Sequence, residues 1–316
     1  MTSVIEALKK AKQVLILSHR GADGDAIGST LAIGIGLEQI GKKVVMFNQD
    51  VVPLHLKFLP SSNRISKSLD GVTCDAVLIL DCADLDRAGE TFLKFPKGPT
   101  IINIDHHGTN TRFGDSYFIE PNASSTGEVI FDILQLIGVK ITKPIATNLF
   151  CALISDTGSF RYRNTSPKVL HTAAALVDAG ASPEEIGKEL FDTYPVERLK
   201  VLNRVLDSLS LHFNGKVAIL VVTDKDLQET GATLDMTEGF VDLLRRIDTV
   251  EVAVLLKERN DGTVKMSTRA RRNIDVGKFC QVFGGGGHKA AAGANISGSV
   301  QQVIQKVLKE VEPFLP

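Results

Sequence analysis

Two regimes of hydrophobic patterning follow one another along this chain. In the first, Val14-Leu15-Ile16-Leu17, Lys43–Phe47, Asp75–Leu80 and Ile101–Ile104 are short, largely unbroken apolar runs rich in β-branched residues. Such runs predict strands buried on both faces of a parallel sheet. Between them, residues 26–40 are apolar on most faces at helical spacing and stop at Gly41, a plausible helix end. Further helices are predicted over Lys143–Leu153, from Ser166-Pro167 to Gly180, and from Ser182-Pro183 with Glu185 as capping partner. Ser125 and Glu128 fit a capping box at another helix start, which makes Glu128 structural. Arg198–Leu211 reads as an amphipathic linking helix, and beyond it the pattern changes. A strand at Lys216–Val222 is followed by a helix near Thr237–Ile247. Two alternating runs, Val250–Arg259 and Thr263–Ala270, then flank Asn260-Asp261-Gly262, a hairpin signal. The fold class expected is α/β. A parallel-sheet domain over 1–195, a linking helix over 196–213 and a smaller α/β domain with a mixed sheet over 214–316 would leave a cleft between the two domains.

Composition narrows this reading. A chain of 316 residues is long for a single core. A net charge of −1 excludes a strongly basic, non-specific nucleic-acid binder but not a local basic patch. The four cysteines, Cys74, Cys82, Cys151 and Cys280, form no CxxC pair. That favours reduced thiols in a cytoplasmic protein over disulfides or a zinc site. Val14–Leu17 is too short for a signal segment or a membrane span, so no membrane partner is expected. Homodimerisation is left open by the sequence.

The chemistry sits where apolar runs end. Ile101-Ile102-Asn103-Ile104 runs straight into Asp105-His106-His107. The first strand leads into a turn that holds His19, Asp23 and Asp25; the run before Cys82 ends in Asp81; and Ile154-Ser155 delivers Asp156. In open α/β sheets, ligands bind at the carboxyl ends of the strands. A phosphate-cradling loop at the first turn is disfavoured, because GxxxxGK[ST] is absent and carboxylates repel phosphate. Asp84 reads as a helix cap, and His171, in an Ala-rich helix, as packing or surface. The remaining Asp and His residues outnumber the ligands one ion needs. Mixed O and N donors without thiolate suit two divalent ions, Mn²⁺ first, with Mg²⁺ or Co²⁺ as alternatives. Two ions roughly 3.5–4 Å apart can drive phosphate-ester hydrolysis.

In the second domain, strand alternation puts Lys265, Ser267 and Arg269 on one face. Downstream, Gly284-Gly285-Gly286-Gly287-His288 offers close backbone approach and N–H donors suited to an anion.

Taken in order, His19-x-x-x-Asp23-Gly24-Asp25, Asp81, Asp105-His106-His107 and Asp156-Thr157-Gly158 resemble the successive motifs of the DHH phosphoesterase superfamily. The Gly284–His288 run after Ser267 and Arg269 is similar to the DHH-associated domain. The likeness covers nearly the whole chain and is nearest to the nanoRNase/pAp-phosphatase subgroup, whose substrates are very short RNA or DNA oligonucleotides and 3′-phosphoadenosine 5′-phosphate (pAp). Arg20-Gly21-Ala22 stands before Asp23 where the family usually has proline next to the aspartate, a change in turn stiffness. The resemblance implies that His19, Asp23 and Asp81 hold one metal and that Asp25, Asp81, His106 and Asp156 hold the other. It also implies that Asp105 orients a histidine and that His107 faces the scissile phosphate. Ser267, Arg269, Gly284, Gly285, Gly286, Gly287 and His288 would bind the far end of the substrate. RecJ-like exonucleases and cyclic-dinucleotide phosphodiesterases share the chemistry. They usually carry extra nucleic-acid or membrane and sensor segments, and this chain has no Trp and three Tyr for a stacking platform. A non-catalytic nucleotide-binding regulator is disfavoured by the cost of unused clustered carboxylates.

Overall fold

Six strands build the sheet of the N-terminal unit: β1 (Gln13–Ser18), β2 (Lys43–Phe47), β3 (Ile65–Ser66), β4 (Ala76–Leu80), β5 (Thr100–Asp105) and β6 (Ser116–Ile119). The structure, a computed structural model, describes residues 1–271, 274–287 and 289–315. Its two units are Met1–Thr193 and Tyr194–Pro316. In the first, the strands run in the order β3-β2-β1-β4-β5-β6, all parallel. Sequence order reverses between β1 and β4, which makes their carboxyl ends the switch point where such sheets open a ligand crevice. Val14, Ile16, Leu78 and Leu80 enter the core on one face, and Leu15, Leu17, Val77 and Ile79 the core on the other. Burial on both faces is why these strands read as continuous apolar runs. The short edge strands β3 and β6 carry no such signal.

Several element ends differ from the sequence reading in ways that matter for the site. The helix Gly24–Gln39 starts two residues earlier than read, at a cap formed by Asp23, whose carboxylate accepts from Asp25 N and Ala26 N. A Cβ at Gly24 would fall 1.9 Å from Ser155 Oγ, so only glycine lets this turn lie against the later helix. That later helix runs from Lys143 to Asp156, past Leu153, and places Asp156 in its last turn. Ser125 Oγ accepts from Glu128 N, but Glu128 Oε2 accepts from Ser124 N and not from the capping residue, so the expected box closes on one side only. Asp84 caps a short 3₁₀ turn by accepting from Asp86 N, as read, and His171 is exposed.

The second unit carries a mixed sheet, β11-β12-β10-β9-β8-β7. Its strands are β7 (Ser210–His212), β8 (Val217–Val222), β9 (Val252–Glu258), β10 (Thr263–Ala270), β11 (Gly286–Gly287) and β12 (Ala291–Ser297). Only β8 and β9 are parallel. The helix expected to reach Leu211 spans Val196–Leu206, and Ser210–His212 is instead the edge strand β7. Val201 and Val205 of that helix are buried with Ala218, Leu220 and Val222 of β8. The helix expected near Thr237–Ile247 is a 3₁₀ turn at Leu234–Thr237 and a short helix, Phe240–Leu244, split at Gly239 with φ +81°. The hairpin forms as read, with Val264 opposite Glu258. Among the described residues no helix is long and apolar enough to cross a membrane.

Candidate metal centre

The carboxyl ends of β1, β4 and β5 bring the expected residues together around Asp81. His19 Nε2 lies 3.4 Å from Asp81 Oδ2. On the other side, Asp81 Oδ1 faces His106 Nε2 at 3.7 Å and His107 Nδ1 at 3.5 Å. His106 Nε2 is also 3.1 Å from Asp156 Oδ2 and 3.9 Å from Asp25 Oδ2. Three overlapping groups have donor atoms within 4.8 Å of one another: His19, Asp23 and Asp81; Asp25, His106 and Asp156; and Asp81, Asp105, His106 and His107. Asp81 thus turns one oxygen toward each of the first two.

Local hydrogen bonds aim the imidazoles. His19 Nδ1 is 2.9 Å from the Arg20 carbonyl, and His106 Nδ1 is 3.3 Å from that of Ala123. A carbonyl can only accept, so each Nδ1 carries a proton and each Nε2 is turned toward the carboxylates. Burial opposes a second proton, but without a metal those carboxylates hold both imidazoles above their ordinary pKa. A cation that displaced the Nε2 protons would meet the ligand geometry of metal-bound histidines. Asp105 is spent on other work. Its Oδ1 accepts from His106 N, His107 N and His107 Nδ1 (2.6 Å), and its Oδ2 accepts from Asn110 Nδ2 (2.6 Å). Asp105 therefore orients His107.

The buried carboxylates of Asp25 and Asp81, with Asp156 half-buried beside them, cannot all stay ionised alone. Burial, then repulsion from Asp81 and Asp156, holds Asp25 well above the ordinary carboxylate range. Burial also raises Asp156, against the pull of His106. Asp81 stays low: burial opposes its charge, but contact with His19 and then the charges of His107, His19 and His106 outweigh that. Carboxylate oxygens that repel one another, with two imidazole Nε2 atoms turned toward them, fit divalent cations by donor type. Burial pushes the Cys82 and Cys151 thiols up to about 12, so neither offers a thiolate.

Sequence reasoning missed the residues that hold the acids in place. Asp25 accepts from Thr126 N (2.7 Å), Gly127 N (2.8 Å) and Ser29 Oγ (3.0 Å), so the N-terminus of the helix Thr126–Leu136 secures it. Thr126 Oγ1 donates to Asp81 Oδ1 at 3.0 Å. Asn110 also donates to Asn103 Oδ1 and to the Cys82 carbonyl, tying β5 to the end of β4. Thr126 sits where a capping hydroxyl is expected, Ser29 where a small residue suits helix packing, and Asn110 in a turn, so nothing in their residue types marks them as site residues.

In the second unit, Lys265, Ser267 and Arg269 share the partly exposed face of β10, while Val264, Met266, Thr268 and Ala270 are buried. The glycine run is less free than it looked. Gly286 and Gly287 form β11, paired with Gly293 and Ala292. A Cβ at Gly285 would lie 2.1 Å from the Gly293 carbonyl oxygen, and one at Gly287 would lie 2.6 Å from that of Ala291. Those two glycines serve strand packing; a side chain at Gly284 or Gly286 would meet nothing, although Gly284 takes φ +73°. His288 lies outside the described residues.

Residues 13–153 match the model of the DHH family, N-terminal domain, and residues 214–315 that of the DHHA1 domain. The chain is 35% identical to the bifunctional oligoribonuclease and PAP phosphatase NrnA of Thermus thermophilus, over 100% of this chain and 94% of that protein. It is 24% identical to the protein of the same name from Bacillus subtilis, over 93% of each. An exopolyphosphatase-related protein from Bacteroides fragilis has the same fold, with a TM-score of 0.88 at 24% identity over 99% of this chain and 97% of that one.

Proposed function

This chain belongs to the DHH family, in its oligoribonuclease and PAP phosphatase branch, and from that premise we propose that it is a metal-dependent phosphoesterase. Its substrates are short single-stranded oligonucleotides, RNA above all, cleaved to mononucleotides, and pAp, converted to AMP. The observation that carries this reading is the position of Asp81 between two donor groups. His19, Asp23 and Asp81 would hold one divalent ion, and Asp25, Asp81, His106 and Asp156 the other, with Mn²⁺ as the proposed metal. When bound, such a pair activates water and neutralises charge on the transferring phosphate.

The chain's own residues do the rest. Asp105 fixes the His107 ring with the proton on Nδ1. When protonated, His107 donates from Nε2 to the phosphate or to the leaving oxygen. Asn110 and Thr126 hold Asp105 and Asp81 in place through the transition state. Ser267, Arg269, the backbone at Gly284 and Gly286, and His288 bind the end of the substrate away from the bond that breaks, with Gly285 and Gly287 keeping that stretch close to the neighbouring strand. The unpaired state of Cys74, Cys82, Cys151 and Cys280 suits a cytoplasmic enzyme.

A turnover panel tests the proposal: pAp, RNA dinucleotides, long single strands and cyclic dinucleotides, each with Mn²⁺, Mg²⁺, Co²⁺ or a chelator. Fastest turnover of pAp and dinucleotides with Mn²⁺, abolished by chelator, is the expected result. Preference for long strands or cyclic dinucleotides would replace the substrate class, and turnover in chelator would remove the metal centre.

A further inference from the structure

The partly exposed face of β10 comes with its own counter-ions. Lys265 stands directly opposite Lys257 in the β9–β10 register, which puts two ammonium groups side by side. Like charges so placed repel unless an anion joins them. Lys257 is only 1% exposed, and burial pulls its pKa down. The anion is Glu238, whose Oε1 lies 2.7 Å from Lys257 Nζ and 3.9 Å from Lys265 Nζ. Further along β10, Arg269 Nε lies 3.4 Å from Asp242 Oδ1, which also faces Arg245 at 3.7 Å.

Both carboxylates come from one short segment fixed from beneath. Phe240, Val241 and Leu244 are buried, and Arg198 donates to the carbonyls of Met236 and Glu238. The Glu238 side chain is nonetheless 54% exposed. Next to the cations the sheet is nearly bare, with Gly293 opposite Ser267 and Ala291 opposite Arg269. Three strand cations therefore share two carboxylates above a floor that lacks bulk.

We infer that Lys257, Lys265 and Arg269 form one phosphate-binding row, and that Glu238 and Asp242 are its resident counter-ions, exchanged against a nucleotide phosphate when it binds. This rests on the proposal that the β10 face binds substrate. The exchange keeps local charge balanced in both states, so Lys257 is never buried without an anion. It also lowers affinity for every phosphate, product included. When AMP leaves, Glu238 returns to Lys257 and Lys265, which speeds release.

The test is calorimetric titration of AMP into the wild-type full chain and into Glu238→Gln, Asp242→Asn and Arg269→Ala. The two isosteric neutral variants should bind AMP about two- to fivefold more tightly, the worth of a half-exposed ion pair, and AMP should inhibit their turnover at correspondingly lower concentration. Arg269→Ala should bind more weakly. Unchanged or weaker AMP binding in both neutral variants, with Arg269→Ala still weakened, would overturn the counter-ion exchange and leave the substrate face standing. Wild-type AMP affinity in Arg269→Ala would take both down. If Glu238→Gln fails to fold because Lys257 is left unpaired, Asp242→Asn decides alone.

Discussion

Asp81 carries two burdens that one substitution cannot separate. It faces both donor groups, and its backbone sits at φ +53°, a left-handed conformation that costs most side chains about 1–2 kcal/mol and that Asn and Asp tolerate best. Asp81→Asn keeps the conformation and the Thr126 hydrogen bond but removes the charge. Turnover should fall on the order of a thousandfold or more, the scale of several kcal/mol of electrostatic stabilisation, with thermal stability in chelator little changed. Asp81→Ala should be equally inactive and about 1 kcal/mol less stable than the Asn variant by denaturant titration. Turnover near wild type in either at saturating Mn²⁺ would refute the bridging role. His107 is the complementary case. Its Nδ1 is taken by Asp105, and it is assigned to neither ion. His107→Ala should lower kcat by about a hundred- to ten-thousandfold, the range for a general acid, while Mn²⁺ titration still finds the wild-type number of sites. Losing one site would make His107 a ligand.

At the scale of elements, the site is assembled from three strand ends, two helix starts and one helix end, and the helix end is the informative one. Asp156 closes the helix Lys143–Asp156, where the dipole favours cations and opposes a carboxylate. Burial raises its pKa further. Asp156→Asn should therefore match or exceed the wild type in melting temperature in chelator and lose much of the rise that Mn²⁺ gives the wild type. A drop in chelator would show that Asp156 is structural. The strands that deliver His19, Asp81 and Asp105 were legible in the sequence because burial on both faces leaves an unbroken apolar run and the polar residue after it marks the end. Asp156 was legible as a residue and the helix before it was read as far as Leu153; that the helix runs on to close at Asp156 was not, because a helix boundary is only loosely set by the pattern. Thr126, Ser29 and Asn110 were invisible as site residues. Thr126 and Asn110 meet partners at the ends of other elements, Ser29 bonds Asp25 one turn back on its own helix as any buried helical serine can, and a Thr two residues after Ser124 looks like any helix start. The glycine run misled in a different way. Close backbone approach was the right physics, but the partner at Gly285 and Gly287 is strand β12.

For the whole molecule, chemistry divides cleanly by unit. Every group of donors able to hold a metal, among the described residues, lies in the first unit. The second gathers Lys257, Lys265 and Arg269 on one sheet face. A net charge of −1 over the chain hides this segregation, because within each unit the acids and bases elsewhere nearly balance. If the second unit binds one end of a substrate, its binding energy is spent on holding the scissile ester in place, so its loss falls on large substrates and spares small ones. Arg269→Ala should cut kcat/KM for pAp and RNA dinucleotides by about 1.5–3 kcal/mol, the worth of a hydrogen bond to a charged group. Bis-p-nitrophenyl phosphate has no second nucleotide to hold and should lose far less. The same clamp predicts a preference for very short chains, because a bound end leaves only the next ester or two within reach of hydrolysis. Both substrates are to be measured on one preparation at one Mn²⁺ concentration, so that a change in metal loading cannot imitate a change in substrate binding. Equal losses on the two substrates would mean that Arg269 serves the chemistry or the fold, and the division of labour between the units would have to be given up.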